Sequence, residues 1–543
     1  MRREDAAMMQ NVEKKIPIVI GVSGHRRLRP QDLPALRAAV RERLVSVQAQ
    51  NPHSPLVMLC SLAEGADLLC ADAGEELGIP LIAALPLPRE EYEKDFSPEG
   101  KRRLDHHCTR ADQIFVPSRS EALPPEASSR NDAYRQTGIY VSAHCHVLLA
   151  LWDGKPGKYG CGTAEAVDFA LKGSCSPENG LPVRCSANTL VWHVLTPRGD
   201  DETGLAGEIR VLGNQQAVQE ILKNTDEFNR LAEKTAPSAQ SLLPEVETDD
   251  SILRRMLRVY EAASELTERN ARQYRQILAA LAVISALIAT AFLLYDEAEA
   301  IGLILVIGLL LLLAWLLQRY AGRSDCLRRY IEYRVLAESL RVSIYLRYAG
   351  SGIRAENLLS WTQQEETAWV LDALSALRAG CPPEREHEIR ECWVEQQRAY
   401  HQTGEKKTRQ KTRISDRIVR TALRISILLY LLALLFELFC GGVLTDPLLS
   451  AANAEDWRTL LKIVLGSISA LTLFVANYYG RLSLSRVLSD HGKMERFFAR
   501  MSERLLEEGQ TDALLTTLAR EELIENGNWC SYQRDNTPEI SLS

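Results

Sequence analysis

The run GVSGHRRL (residues 21–28) leaves the apolar stretch IPIVI through Gly21, Ser23 and Gly24, then presents His25, Arg26 and Arg27. Small residues at a strand exit let backbone N–H groups approach a ligand closely, and an arginine offers a planar fork for phosphate. An ordinary strand-to-helix turn with solvated cations uses the same residues, so this run alone does not decide. Two further exits repeat the pattern. SLAEGAD (61–67) follows LVMLC and opens a helix with Glu64, Gly65 and Asp67. WDGKPGKYGCGTAEAV (152–167) follows HVLLALW and carries Asp153, Gly160, Gly162 and Thr163 into a helix. A helix N-terminus there presents free N–H groups and the positive end of its dipole to an anion. One glycine loop is a weak signal; three exits of this kind in one sheet point to a phosphate-bearing ligand.

The other chemistry-bearing clusters are poorer. HHC (106–108) and HCH (144–146) have metal-ligand residue types, but neither completes a set at zinc-site spacing, and no metal is expected. The twelve cysteines include no CxxC pair, and the N-terminus MRREDAAMMQ has no apolar segment of the secretory kind, which together fit a reducing cytosol. A net charge of −7 argues against a nucleic-acid partner.

Positioning those exits requires a sheet. IPIVIGV, LVMLC (56–60), PLIAAL (80–85), DQIFVP (112–117), HVLLALW (146–152) and TLVWHVL (189–195) read as buried strands. Helical stretches such as 31–50 and 164–172 separate them. Apolar runs alternating with helices predict a Rossmann-like α/β domain, a parallel sheet with helices on both faces. Ligands of such sheets bind at the carboxyl ends of the strands.

These residues carry a resemblance. Residues 14–200, about a third of the chain, resemble the SLOG superfamily, which includes DprA-type proteins, the LOG phosphoribohydrolases and a sensory module of melastatin-type TRP channels. The likeness rests on GVSGHR, on LAEGADLLCADAGEELGIPLIAALPLPREEYEKDF (62–96), on RNDAYRQTGIY (130–140) and on LLALWDG…GCGTAEAV. It implies a nucleotide-derived ligand of ADP-ribose or NAD type and no bound cofactor. It also places Arg130 on a phosphate and Tyr134 in a stacking role, although the two also suit one face of a surface helix. LOG enzymes carry a pattern like PGGxGTxxE; aligning Gly162-Thr163 with its GT puts Ala166 at the catalytic glutamate. Glu165 stands one residue early, about 100° around a helix. The cradle without its acid favours a binding module over a hydrolase, and no catalytic residue is assigned.

The second half of the chain reads as membrane. The uncharged runs 277–295 and 301–317 are long enough to cross a bilayer, and 425–444 and 463–480 form a second pair in which Glu437 is the one carboxylate. Arg269, Arg272 and Arg275 precede the first hairpin, and Arg319, Arg323, Arg328 and Arg329 follow it, while Asp296, Glu297 and Glu299 lie between its arms. The basic run 406–420 and Arg481 and Arg486 flank the second hairpin, around Asp446, Glu455 and Asp456. By the positive-inside rule both hairpins dip outward from a cell inner membrane, leaving the N-terminal domain, the middle segment and the C-terminus cytosolic. Residues 251–543 resemble the SLATT family of SLOG-associated membrane effectors in YIEYRVLAESLRVSIYLRYAG (330–350), WVEQQRAYHQTGEKK (393–407) and AREELIENGNW (519–529).

The expected organisation is thus a nucleotide-binding domain at 14–200, a connecting helix and linker at 201–250, and a helix entering hairpin one within 251–350. A cytosolic helical segment at 351–420, hairpin two within 421–480 and a helical tail at 481–543 complete an all-α membrane module of four transmembrane helices. The resemblance implies a homo-oligomeric sensor–effector that perturbs the bilayer, in antiviral defence. A membrane-tethered nucleotide hydrolase using Glu64, Asp67 or Glu165 is the first alternative. A transporter or channel, hinted at by Glu437 and Gly441-Gly442, is the second.

Overall fold

The computed structural model describes residues 13–117, 130–157, 162–173, 189–198, 205–236, 242–243, 250–298, 302–360, 363, 367–381, 386–439, 451–481 and 484–535. Six parallel strands appear where apolar runs predict them: β1 (Ile18–Gly24), β2 (Leu56–Cys60), β3 (Leu81–Ala84), β4 (Gln113–Phe115), β5 (Val147–Trp152) and β6 (Leu190–Leu195). A seventh, β7 (Ile209–Leu212), pairs antiparallel with β6 and lies beyond residue 200. The order is β4-β3-β2-β1-β5-β6-β7, so chain order reverses at the β1–β5 boundary. Ser23 pairs with Ala150 and Gly24 with Leu151 across it.

Helices α1 (Leu33–Gln50), α2 (Ala66–Glu76) and α3 (Pro98–Arg110) pack one sheet face. The apolar stripe of α6 (Gln215–Ala232) adds Val218 and Leu222 to that core. On the other face, α4 (Arg130–His144) and α5 (Thr163–Lys172) bury Tyr140, Val141, Ala166, Val167 and Ala170 against Val19, Leu59 and Leu148. Fully burying each such branched side chain contributes about 1.5–3 kcal/mol, which is why both faces of these strands are apolar.

The remaining helices are α7 (Ser251–Ala298), α8 (Gly302–Ser324), α9 (Cys326–Tyr348), α10 (Ala368–Arg378), α11 (Gln396–Phe439), α12 (Ala451–Arg481), α13 (Leu484–Glu508) and α14 (Asp512–Asp535). By compactness the chain forms two units. One joins Met1–Thr267, Glu332–Cys392 and Glu508–Ser531, and the other joins Glu268–Ile331, Trp393–Glu507 and Tyr532–Ser543. The sheet therefore shares its unit with the middle segment and part of the tail. Ala376 and Ala379 extend the core beneath the second sheet face. Tyr333, Leu336, Leu340 and Tyr345, which recur at helical spacing in α9, are buried in this unit. Arg341 between them bonds Glu522 of α14 through Nε at 2.8 Å and pairs with Glu338 at 2.5 Å.

In the second unit the apolar stretches of α8 and α11 bury no side chain, whereas α7 buries Ile277, Leu278, Ile284 and Ala291. Leu305 is 79% exposed and Leu309 66% on α8, and Leu428, Tyr430 and Leu435 are exposed on α11. Apolar surface of this extent on a helix marks a face meant for lipid or protein. Among the described residues, three helical stretches are long and apolar enough to cross a membrane: Ser251–Asp296, Gly302–Tyr348 and Arg390–Phe436. Asp325, with φ +48°, divides the second of these into α8 and α9. The expected fourth span, 463–480, lies in the helix α12 but is not among the three, and half of its side chains fall outside the described residues.

Candidate functional site: the β1–β5 switch point

Two glycines bring the exit of β1 onto the first turn of α2. A Cβ on Gly24 would lie 2.3 Å from Ala66 Cβ, and one on Gly65, at φ +100°, would lie 2.2 Å from the Arg26 carbonyl oxygen. With both positions bare, Ala66 N donates to the His25 carbonyl at 3.0 Å. Gly21 serves packing instead: it sits inside β1, where a Cβ would lie 2.7 Å from Cys145 Sγ on the adjacent helix-to-strand turn.

The β5 exit joins at His25, whose N–H donates to the Leu151 carbonyl at 3.0 Å. Asp153 N donates to His25 Nε2 at 3.0 Å, and Asp153 Oδ1 lies 3.4 Å from the same nitrogen. Arg198, just past β6, places Nη2 2.6 Å from His25 Nδ1 and Nε 3.4 Å from Asp153 Oδ2. The N-terminus of α5 completes the group. Ser23 Oγ donates to Thr163 Oγ1 at 3.3 Å, and Gly162 caps the helix at φ +124° with open space where a Cβ would stand. Gly160 lies outside the described residues.

A second cluster gathers around Asp95, which no sequence pattern signalled. Tyr134 Oη donates to Asp95 Oδ2, Arg130 Nη2 lies 2.9 Å from Oδ1, and Arg26 Nη2 approaches to 3.7 Å. The Arg26 guanidinium carbon sits 4.8 Å over the Tyr134 ring, within cation–π range. Partial burial works against the Asp95 charge, but the Tyr134 hydroxyl and the Arg130 and Arg26 cations outweigh it and hold its carboxyl below the usual range. Arg130 and Tyr134 thus share a partner with Arg26, and Arg130 also donates to the Glu91 carbonyl at 2.9 Å. Beside this cluster opens a cleft of about 1230 Å³ whose walls include Arg26, Arg27, Arg37, Arg103 and Gly65.

The carboxylates weighed as acids have different fates. Glu64 accepts from Ser97 N at 3.0 Å and from Ser97 Oγ, fastening the β2 exit to the N-cap of α3. Glu165 accepts from Arg135 Nε at 2.5 Å. Ala166 is buried in the sheet core, a position that cannot carry an exposed acid. Asp67 stands apart. It is 2% exposed; Oδ2 accepts from Ser61 Oγ at 2.6 Å and Ala63 N at 3.2 Å, while Oδ1 has no hydrogen-bond partner among the described residues. Burial, opposed by those two hydrogen bonds, pushes its carboxyl up to about 6. Tyr92, also fully buried, likewise has a hydroxyl without a partner among them.

The second histidine cluster is structural. His144 lies 2.8 Å from the Tyr140 carbonyl through Nδ1 and 2.8 Å from Arg354 Nη2 through Nε2, and His146 Nδ1 accepts from Val19 N at 3.1 Å. The switch point gathers Ser23, His25, Asp153 and the N-terminus of α5, whose helix dipole favours an anion. A scan against protein-family models finds no match to this chain, and a search of curated proteins finds none either.

Proposed function

We propose that the chain is a membrane-bound sensor–effector of the SLOG and SLATT kind. Its α/β domain binds a nucleotide-derived signal of ADP-ribose or NAD class, and ligand binding changes the state of an inner-membrane helical module. The observation that carries the reading is the convergence of Ser23, His25, Asp153 and the α5 N-terminus at the sheet's switch point, beside Arg26. Open α/β sheets bind ligands at such points. The phosphates lie against the N–H groups of Gly162 and Thr163, and Arg26 pairs with their charge over the Tyr134 ring. Helix α7 is unbroken from Ser251 to Ala298, so the chain enters its first candidate span without an intervening loop. A ligand shifts such a system only by its differential affinity for two states. Opening a pore or disordering the bilayer in response would arrest an infected cell.

The test is ligand-dependent leakage. Full-length protein in dye-loaded vesicles is exposed to ADP-ribose, NAD and adenine nucleotides, and release is compared with the Arg26→Ala variant. Release that requires one nucleotide and Arg26 supports the reading; equal release with and without nucleotide contradicts it.

A second reading, a membrane-tethered nucleotide hydrolase, is favoured by Asp67 alone. A buried carboxyl raised to about 6 beside a phosphate-binding exit has the pKa of a general acid. Turnover of the bound nucleotide, lost in Asp67→Asn with binding retained, would establish it.

A further inference from the structure

His106 and His107 complete no ligand set within their own stretch of chain, but the fold brings Glu75 of α2 to them. His106 Nε2 lies 2.8 Å from Glu75 Oε2, and His107 Nδ1 lies 3.8 Å from the same oxygen. One ligand atom from each residue falls within 4.8 Å of the other two. Metal–ligand bonds of about 2.0–2.1 Å at a tetrahedral angle place neighbouring ligand atoms roughly 3.3 Å apart, between the two observed separations.

His107 supplies an independent sign. Its side chain is buried, and Nε2 lies 2.7 Å from Asp72 Oδ1, while Oδ2 of the same carboxylate accepts from Arg103 Nη2 at 2.5 Å. A carboxylate at that nitrogen keeps the proton on Nε2 and leaves the Nδ1 lone pair toward Glu75. Carboxylates orient metal-ligating histidines in this way. Arg110 meanwhile stands where a cation is needed. Its Nε lies 3.4 Å from Glu75 Oε1 and its Nη1 2.7 Å from His106 Nδ1, and the side chain is 59% exposed, free to swing out.

We propose that Glu75, His106 and His107 bind a divalent transition metal of the zinc class, with water at the open position, and that Arg110 is the cation the metal displaces. Two imidazoles and one carboxylate suit zinc and its first-row neighbours. The ion ties α2 to α3, the helices that contribute Asp72 and Arg103 to the arginine-lined cleft. It requires nothing of the nucleotide site.

The test uses untagged full-length protein in detergent, stripped with a chelator and titrated with Co²⁺, then with Zn²⁺ in competition. The expected result is one equivalent of Co²⁺ with the visible absorption of a nitrogen–oxygen site. Glu75→Gln and His106→Ala, both exposed, should weaken binding at least tenfold, and Arg110→Gln should tighten it. Unchanged affinity in the first two variants, a thiolate-to-cobalt band in the near ultraviolet, or weaker binding in Arg110→Gln would each overturn the proposal.

Discussion

Asp67 carries its charge at a cost that pH can read. Its folded pKa, about 6, lies above the 3.8 of an exposed aspartate, so between these values the native state holds a proton that the unfolded chain has released. Stability from this group therefore falls as pH rises from about 4 to about 6, by up to roughly 3 kcal/mol. Asp67→Asn should flatten that slope, measured as the difference in melting temperature between about pH 4 and about pH 7. An undiminished slope in the variant would place the titration elsewhere. Arg26→Ala should remove nucleotide-induced stabilisation while changing the ligand-free melting temperature little, because the side chain is 40% exposed and its ion pair with Asp95 is long. At this scale the sequence marked Ser23, His25, Arg26, Asp153 and Thr163 through the small residues around them. Asp95 and Arg198 escaped because nothing local distinguishes them. Asp95 meets Tyr134 from 39 residues away, and Arg198 meets His25 from 173.

Among the elements, Gly65 and Gly162 differ in what an added side chain would meet. Gly65→Ala meets both a positive φ and a carbonyl oxygen at 2.2 Å, and should cost roughly 2–5 kcal/mol. Gly162→Ala meets open space and only the backbone penalty, about 1–3 kcal/mol. Melting both variants with and without nucleotide checks this: the second should lose ligand response out of proportion to stability. The parallel strands were legible because strands covered on both faces leave apolar runs in the sequence. β7 was not, since four residues with Arg210 and Val211 exposed leave no run. The candidate spans were legible for a related reason, uninterrupted apolar length. Leu309→Lys, at the centre of the apolar run 301–317, should cost about 3 kcal/mol of membrane insertion and shift protein out of the carbonate-resistant membrane fraction. Full retention in that fraction would argue that α8 does not span.

For the whole molecule, chain order and spatial order part company. The sheet's unit draws on three separated stretches, with α10 beneath a sheet face and α14 pairing through Glu522 with Arg341 of α9. No periodicity announces such long-range assembly; each helix shows only that it has an apolar face to bury, not what will cover it. Residues from the middle segment and the tail therefore bear on the domain that holds the candidate ligand site. The proposed role of this site is to sense a nucleotide without consuming it. It is tested most directly on full-length protein in detergent, melted with ADP-ribose, NAD and adenine nucleotides while each ligand is quantified in the same sample. A nucleotide sensor should show a raised melting temperature with one intact ligand, abolished in Arg26→Ala. Conversion of that ligand, or no stabilisation by any of them, would contradict it.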